Sequence, residues 1–328
     1  MTNKGAVIAA AVLLALAVPA RSQVKYGGYL ALEYIKGQTE SSYPRGNIEN
    51  LLAGFLAAGK VGQKYGVTVE ARALGVNDFD LNQAWAGFVP SAAFSVRVGL
   101  YLVPFGNWNT ASRPHETLLI RTPLNLEFLY PASWRDLGVV VQGKVGVLTY
   151  AAYLGNGLAE GQTSAFVQQF RDNNTDKSKG GRLGLLLGPG VQAGVSYYTG
   201  KYDDQDMRDL TLEGADLSWA SNQWEIHGEY TKAFLENPQP FERGKSEGYS
   251  IWACMGFKSV QPVGSFQKLK FTDPYHNGGI ALDQSRWTLG LRYVLSETFF
   301  LKTEYDWNRE KGVVLKNNQW QVQAGLSF

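Results

Sequence analysis

"NNQWQVQAGLSF", Asn317 to Phe328, decides the reading of this chain. Trp320, Val322, Ala324, Leu326 and Phe328 alternate with Gln319, Gln321, Gln323, Gly325 and Ser327. Strict alternation is the pattern of a strand whose two faces meet different surroundings. Here one face is oily, the other is rich in amides, and the segment ends on an aromatic ring.

The same period of two recurs upstream. "FSVRVGLYL" sets Phe94, Val96, Val98, Leu100 and Leu102 against Ser95, Arg97, Gly99 and Tyr101. "QWEIHGEYT" sets Trp224, Ile226 and Tyr230 against Glu225, His227 and Glu229. About sixteen such segments can be counted, beginning near residues 24, 49, 65, 82, 94, 137, 147, 180, 191, 210, 223, 247, 263, 285, 298 and 318. Odd-numbered connections are long or variable and polar, such as "KGQTESSYPRGN" and "LENPQPFERGK"; even-numbered ones are tight, such as "KVG" and "GPG". Long loops at one end and tight turns at the other are the layout of an outer-membrane barrel. Tyr26, Tyr34, Tyr230, Tyr293, Trp307, Trp320 and Phe328 lie near strand ends, where amphipathic rings suit the headgroup level. In hydrocarbon every backbone group must be paired, so the sheet has to close. The expected fold is therefore all-β: a transmembrane antiparallel β-barrel of about sixteen strands, with long extracellular loops and short periplasmic turns. The last strand turns its apolar face to lipid and its glutamines to a wet interior.

The first stretch supplies a compartment. Lys4, an apolar run from Ala6 to Val18 and small residues after it have the layout of a secretory signal. The run is shorter than the ~20 residues a spanning helix needs. Residues 1–22 are read as a signal peptide, cleaved after Ala20 or Ser22, and residues 23–328 as the barrel. Losing Lys4 and Arg21 takes 31 basic residues to 29, against 29 acidic ones. A neutral chain without basic clusters argues against nucleic acid as a partner. One cysteine, Cys254, excludes an internal disulfide, and His115, His227 and His276 lack metal-ligand spacing. No metal and no cofactor is expected. "DDQD", Asp203 to Asp206, reads as a solvated acidic loop rather than an ion site.

The third long connection, residues 103–136, reads "VPFGNWNTASRPHETLLIRTPLNLEFLYPASWRD". Leu118, Leu119, Ile120, Leu124, Leu126, Phe128, Leu129, Tyr130 and Trp134 need somewhere to pack. Long loops without a strand pattern are usually functional. Folding inward would bury these side chains and constrict the lumen.

Four stretches, "RVGLYLVPFG", "IRTPLNLEFLYPASWRDLGVVVQGKVG", "TLGLRYVLSETFFLKTEYDWNRE" and the final "QVQAGLSF", resemble the phosphate-selective porin family of the O and P type. The resemblance implies a sixteen-stranded outer-membrane channel, normally a homotrimer, with the third loop inside the lumen. Outer-membrane lipid and lipopolysaccharide would surround it, and small anions or solutes would be its traffic.

The alternation assigns lumen charges. Lys25, Arg72, Arg97, Lys144, Arg182, Lys268, Lys270, Arg286, Arg292 and Lys302 are expected to face inward, against Glu33, Glu70, Glu225, Glu229, Glu304 and Asp306. The balance favours anions mildly, since cationic side chains replace a passing anion's lost hydration. "LTLEGADLSWAS" changes phase within the strand by its polarity, so a bulge is expected there. Within the constriction loop, Arg113, His115, Arg121 and Arg135 either add to the anion path, with His115 partly protonated, or pair with Glu116, Glu127 and Asp136 and only hold the loop. Two other functions stay open. A scaffold or adhesin barrel would use the polar loops. A barrel enzyme would need a nucleophile beside His227, the only histidine well inside a strand segment.

Overall fold

The computed structural model describes residues 23–75, 78–161, 166–256, 259–276 and 283–328. The signal-peptide assignment lies outside them. The described chain is almost wholly strand: β1 (Gln23–Gly37), β2 (Asn47–Val61), β3 (Tyr65–Leu74), β4 (Asp78–Ser91), β5 (Phe94–Leu102), β6 (Arg135–Val145), β7 (Leu148–Gly155), β8 (Leu158–Ala159), β9 (Val167–Gln168), β10 (Ser178–Gly188), β11 (Val191–Lys201), β12 (Asp209–Ala220), β13 (Trp224–Leu235), β14 (Gly244–Met255), β15 (Val260–Thr272), β16 (Asp283–Val294), β17 (Phe299–Glu310) and β18 (Gln319–Ser327). A 3-10 turn (Trp108–Ala111) and one short α-helix, α1 (Leu124–Phe128), sit in the connection after β5. No described helix is long and apolar enough to cross a membrane.

All the strands except β8 and β9 form one closed antiparallel barrel of sixteen, each paired with its sequence neighbours in the wall. β8 and β9 make a small hairpin within the loop between β7 and β10. Closure runs through the segment that opened the sequence analysis. β18 pairs with β1 from Tyr29↔Ser327 to Gly37↔Gln319, and the backbones of Gly28 and Phe328 exchange hydrogen bonds of 2.9 and 3.0 Å. The barrel wall is left without a free edge among the described residues, as a lipid surround demands.

Burial follows the two faces. Gln319, Gln321 and Gln323 are buried inward, whereas Trp320 and Phe328 are exposed on the outer wall. Inside, Gln323 Nε2 donates to Glu33 Oε1 at 2.5 Å and Gln321 Nε2 to Asp306 Oδ2 at 2.9 Å. The amide face is thus a hydrogen-bonded interior lining. Outside, Leu30, Val98, Leu185, Val195, Leu217, Ile251 and Leu289 form the exposed apolar band. Tight turns close one end: Gly146 and Gly190 take φ of +59° and +74°, a left-handed region that two-residue hairpins need and glycine enters freely.

Two expectations of parity are corrected. β12 carries no bulge; its register with β11 and β13 runs unbroken. Leu210, Leu212 and Asp216 all face inward, while Glu213, Ala215 and Leu217 face outward. The apparent phase change arises because the inner face is apolar at the loop end and polar lower down. β15 repeats this. Val263, Ser265, Gln267, Leu269 and Phe271 are buried inward, so Lys268 and Lys270 point out of the barrel, not into it.

Candidate functional site

Residues 103–134 do not stand over the barrel; they fold across its interior and are tied to the far wall. Trp134, Leu126, Leu129, Tyr130, Leu119 and Phe105 are all at most 2% exposed. They pack with Tyr198, Leu210, Leu212, Ala233, Leu235, Trp252, Leu269 and Phe271 of the wall. Trp134 meets Tyr198 edge to face with centroids 4.9 Å apart, and Phe105 meets Tyr130 at 5.2 Å. Apolar inner residues at the loop ends of β12 and β15 exist for this contact.

Polar groups fix the loop's path. Glu229 Oε1 on β13 accepts from the backbone N–H groups of Asn107 and Trp108 at 2.7 and 2.6 Å. Gly106 (φ +63°) turns the chain there, and a Cβ on it would lie 2.6 Å from Glu229 Oε2. Glu304 on β17 accepts from Ile120 and Arg121 N–H at 2.9 and 3.0 Å. Gln267 Oε1 accepts from Leu124 N–H at the start of α1, and Ser250 Oγ donates to Asn125 Oδ1. These backbone donors have no strand partner, so buried side-chain acceptors satisfy them. Sequence reasoning missed these anchors. Glu229 and Trp108 lie 121 positions apart, and nothing local in either segment signals their meeting.

Lys25 is exposed near the start of β1, and most of the other basic residues singled out from the sequence have named partners. Arg72 makes two bonds of 3.0 Å to Asp80 and one to Ser133. Arg113 grips the buried Glu70 at 3.0 and 2.7 Å and also pairs with Glu116. Arg121 pairs with Glu127 at 2.9 Å. Burial alone would raise the Glu127 carboxyl; Arg121 and Arg286 overcome it and hold the group below its usual range. Arg135 opens β6, and it pairs with Asp80 at 2.7 Å rather than with Asp136. Asp136 instead accepts from Asn156 and Gly157 N–H at 3.0 Å each. Arg182 pairs with Asp216 and donates to Asn107 in the loop.

Arg286, Arg292 and Lys302 are tethers. Arg286 is 1% exposed, donating to Thr122 O, Glu127 and Asn308. Arg292 donates to Gln261 and to His115 O. Lys302 Nζ is buried and donates to Pro114 O at 2.6 Å and Thr117 Oγ1 at 3.0 Å. Burial, aided by Arg113, Lys302 and Arg292 and opposed by Glu116, pushes the His115 imidazole below its ordinary value. The surroundings thus favour the neutral ring over the protonated one.

Lys268 and Lys270 sit on the outer wall. By register Glu213, Lys232, Glu247, Lys270 and Asp283 form a row of alternating sign across five strands. Opposite charges on facing strands support each other.

Arg97 and Lys144 are bonded neither to a described carboxylate nor to the constriction loop. No described acid pairs with Arg97, whose guanidinium lies 4.3 Å from the centroid of the Trp85 ring. Lys144 is exposed. Arg97, Lys144, Arg182, Gln142, Ser95 and Pro104 line one cavity of about 350 Å³. A second of about 350 Å³, between wall and loop, is lined by Arg97, Trp85, Gln83, Gln142, Tyr101 and Thr110. His227 Nε2 donates to Glu225 Oε1 at 2.8 Å and the ring stacks on Trp252, centroids 5.4 Å apart.

A family model described as "Gram-negative porin" matches residues 9–327. The chain belongs to the Gram-negative porin family. This porin resides in the bacterial outer membrane. Among solved structures, OmpF of Salmonella typhi in complex with daunomycin is similar at a TM-score of 0.70 with 14% identity, covering 93% of this porin and 97% of that chain. The trimer form of OmpT from Vibrio cholerae gives 0.67 and 12%, covering 94% and 99%. The outer membrane channel DcaP of Acinetobacter baumannii gives 0.64 and 11%, covering 94% and 97%. At such identities the likeness is one of fold. A curated protein of Aquifex aeolicus, described as uncharacterized, is 22% identical over 221 residues. That match covers 62% of this porin and 51% of the relative, so the chain spans about half the length of the curated relative it matches.

The extracellular ends are cross-linked by a polar cluster. His276 Nδ1 lies 2.6 Å from Asp273, its Nε2 lies 3.3 Å from Glu160, and Arg208 pairs with Glu160. Asn237 donates to Asp273 at 2.7 Å, which joins four loops. No described group of three or more acidic, histidine or cysteine side chains is arranged to hold a metal. Burial would raise the Asp273 carboxyl, but His276 and Asn237 outweigh it and hold the group below its ordinary value. A depressed acid stabilises above its unfolded value and loses that contribution as pH falls through the folded one. Loop cross-linking is thus expected to persist at pH 5 and to fail below about pH 4. Hydrogen exchange of residues 202–208 and 236–243, corrected for intrinsic rates, measures this. Equal protection at pH 5 and pH 2.5 would contradict it.

Proposed function

We propose that this porin is a passive diffusion channel for small hydrophilic solutes, with a mild preference for anions. One observation carries the anion preference. Arg97 and Lys144 line the interior without a carboxylate partner, while Glu229 and Glu304 are spent on the constriction loop. The unpaired charge in the cavity they line is therefore positive, a bias that attracts anions without a trapping well. Family membership supports a channel rather than catalysis. His227 is bonded to Glu225 and stacked on Trp252, but no described hydroxyl or thiol is hydrogen-bonded to it, so it lacks the activated nucleophile a barrel hydrolase needs. Phosphate selectivity, implied by the O and P type resemblance, is the finer form of this reading. A homotrimer is part of the same reading, supported by the trimeric form among similar folds.

Reversal potential in planar bilayers under a potassium chloride gradient tests the proposal. The expected sign is that of an anion-favouring pore. Lys144→Gln should move it toward zero, whereas Lys268→Gln, on the outer wall, should leave it unchanged. Absence of conductance from folded protein, or a cation-favouring potential, would refute the reading. Adding phosphate to the same bath tells whether phosphate is preferred over chloride.

A further inference from the structure

We propose that Arg97 and Lys144 form a binding subsite for small aromatic carboxylates on the lumen wall of β4–β6. The subsite rests on the channel reading and names a solute class for it. Its core is one side chain held in place by its neighbours. Arg97 lies opposite Gly87 in the β4–β5 register. A Cβ at Gly87 would come within 3.2 Å of Arg97 Cγ, so the missing side chain clears a bed for the arginine stem. Two residues along β4, Trp85 receives the guanidinium on its ring face at 4.3 Å. The platform is itself braced: Trp85 Nε1 donates to Gln83 Oε1 at 3.2 Å, and Gln83 Nε2 to Glu70 at 2.9 Å.

The charge is not cancelled. Of the acids near this wall, Glu70 is gripped by Arg113 and Asp216 by Arg182. A guanidinium on a ring face is stabilised by the quadrupole yet keeps its positive charge for a ligand. Lys144 adds a second free cation to the same cavity. Gln142, which lines both cavities, adds an amide donor. In the adjoining space Tyr101, Leu102, Pro104 and Val140 form an apolar patch beside the polar Gln83, Thr110 and Gln142, a patch that hydrated inorganic anions cannot use. An anion with a flat apolar body uses both halves. Charged groups fix its carboxylate, and desolvation of the ring supplies the remainder.

Benzoate is the probe. Calorimetric titration into the folded porin in detergent should show one saturable site, weakened about tenfold or more in Arg97→Gln by loss of a charge-assisted contact. Inorganic phosphate should bind more weakly than benzoate. Lys144→Gln should weaken benzoate less than Arg97→Gln, and Trp85→Leu should lower benzoate affinity more than chloride affinity. Circular dichroism and heat-modifiable gel mobility establish that each variant is folded. Benzoate binding Arg97→Gln as tightly as wild type, or phosphate and benzoate binding alike, would overturn the subsite. Conductance without benzoate binding removes the subsite alone. Benzoate binding without conductance removes the channel reading and leaves the subsite standing.

Discussion

Replacing Glu229 by alanine is expected to loosen the constriction loop by on the order of 3 kcal/mol and to widen the pore. The carboxylate is 4% exposed and accepts from Asn107 and Trp108 N–H at 2.7 and 2.6 Å. Alanine leaves both donors without a partner inside the barrel, and each unsatisfied donor costs roughly 1–3 kcal/mol. The loop would then swing from its wall near Gly106, where the chain turns. Glu229→Gln keeps a carbonyl acceptor in the same place and should retain most of the tether. Liposome swelling in sugars of increasing size reads the exclusion limit, which should rise for alanine and scarcely for glutamine. An unchanged limit in Glu229→Ala would show that other anchors, such as Glu304 with Ile120 and Arg121, hold the loop unaided.

Leu289→Arg should destabilise the porin by about 2–4 kcal/mol in a bilayer. Leu289 is 61% exposed on the outer face of β16, between Trp287 and Tyr293. For a soluble protein an exposed leucine is replaceable at little cost, usually within ~0.5 kcal/mol. The large expected penalty comes only from hydrocarbon around the wall, where a guanidinium loses its hydration. Urea titration of protein folded into vesicles measures the difference. Equal midpoints for the two proteins would mean that this face does not meet lipid. The same substitution at Lys268, which is already charged and near the loop end of β15, should be tolerated.

The two misread strands show where alternation stops being sufficient. In β12 and β15 the lower halves obey the simple rule of apolar outside and polar inside. Toward the loop end both faces change partners. Leu210, Leu212, Leu269 and Phe271 meet the folded-in loop instead of water, and Lys268 and Lys270 meet the interface instead of oil. The period of two persisted; the chemistry of the two surroundings exchanged. Reading charge from polarity therefore put two lysines on the wrong side and suggested a bulge that β12 lacks. The hydrophobic third loop held the missing clue, since whatever buries it must be an apolar patch of inner wall.

The constriction was half legible. Arg113 with Glu116 and Arg121 with Glu127 are pairs within the loop, close enough in sequence to be foreseen as one of two outcomes. Arg135 with Asp80 and Lys302 with Pro114 O were not, because their partners lie far away in the sequence. Counting inward cations overstated the free positive charge, since most of them turned out to be bonded.

By itself the sequence determined the barrel, a strand number of about sixteen and the end that carries the loops. A pleated strand sends alternate side chains to opposite faces whatever else the chain does, so two solvents leave their mark residue by residue. Only the tertiary structure decided which charges are free. Freedom depends on which groups meet across the lumen, as Glu304 meets Ile120 over 184 positions. No periodicity encodes that meeting, because it is set by how one loop packs into a closed wall.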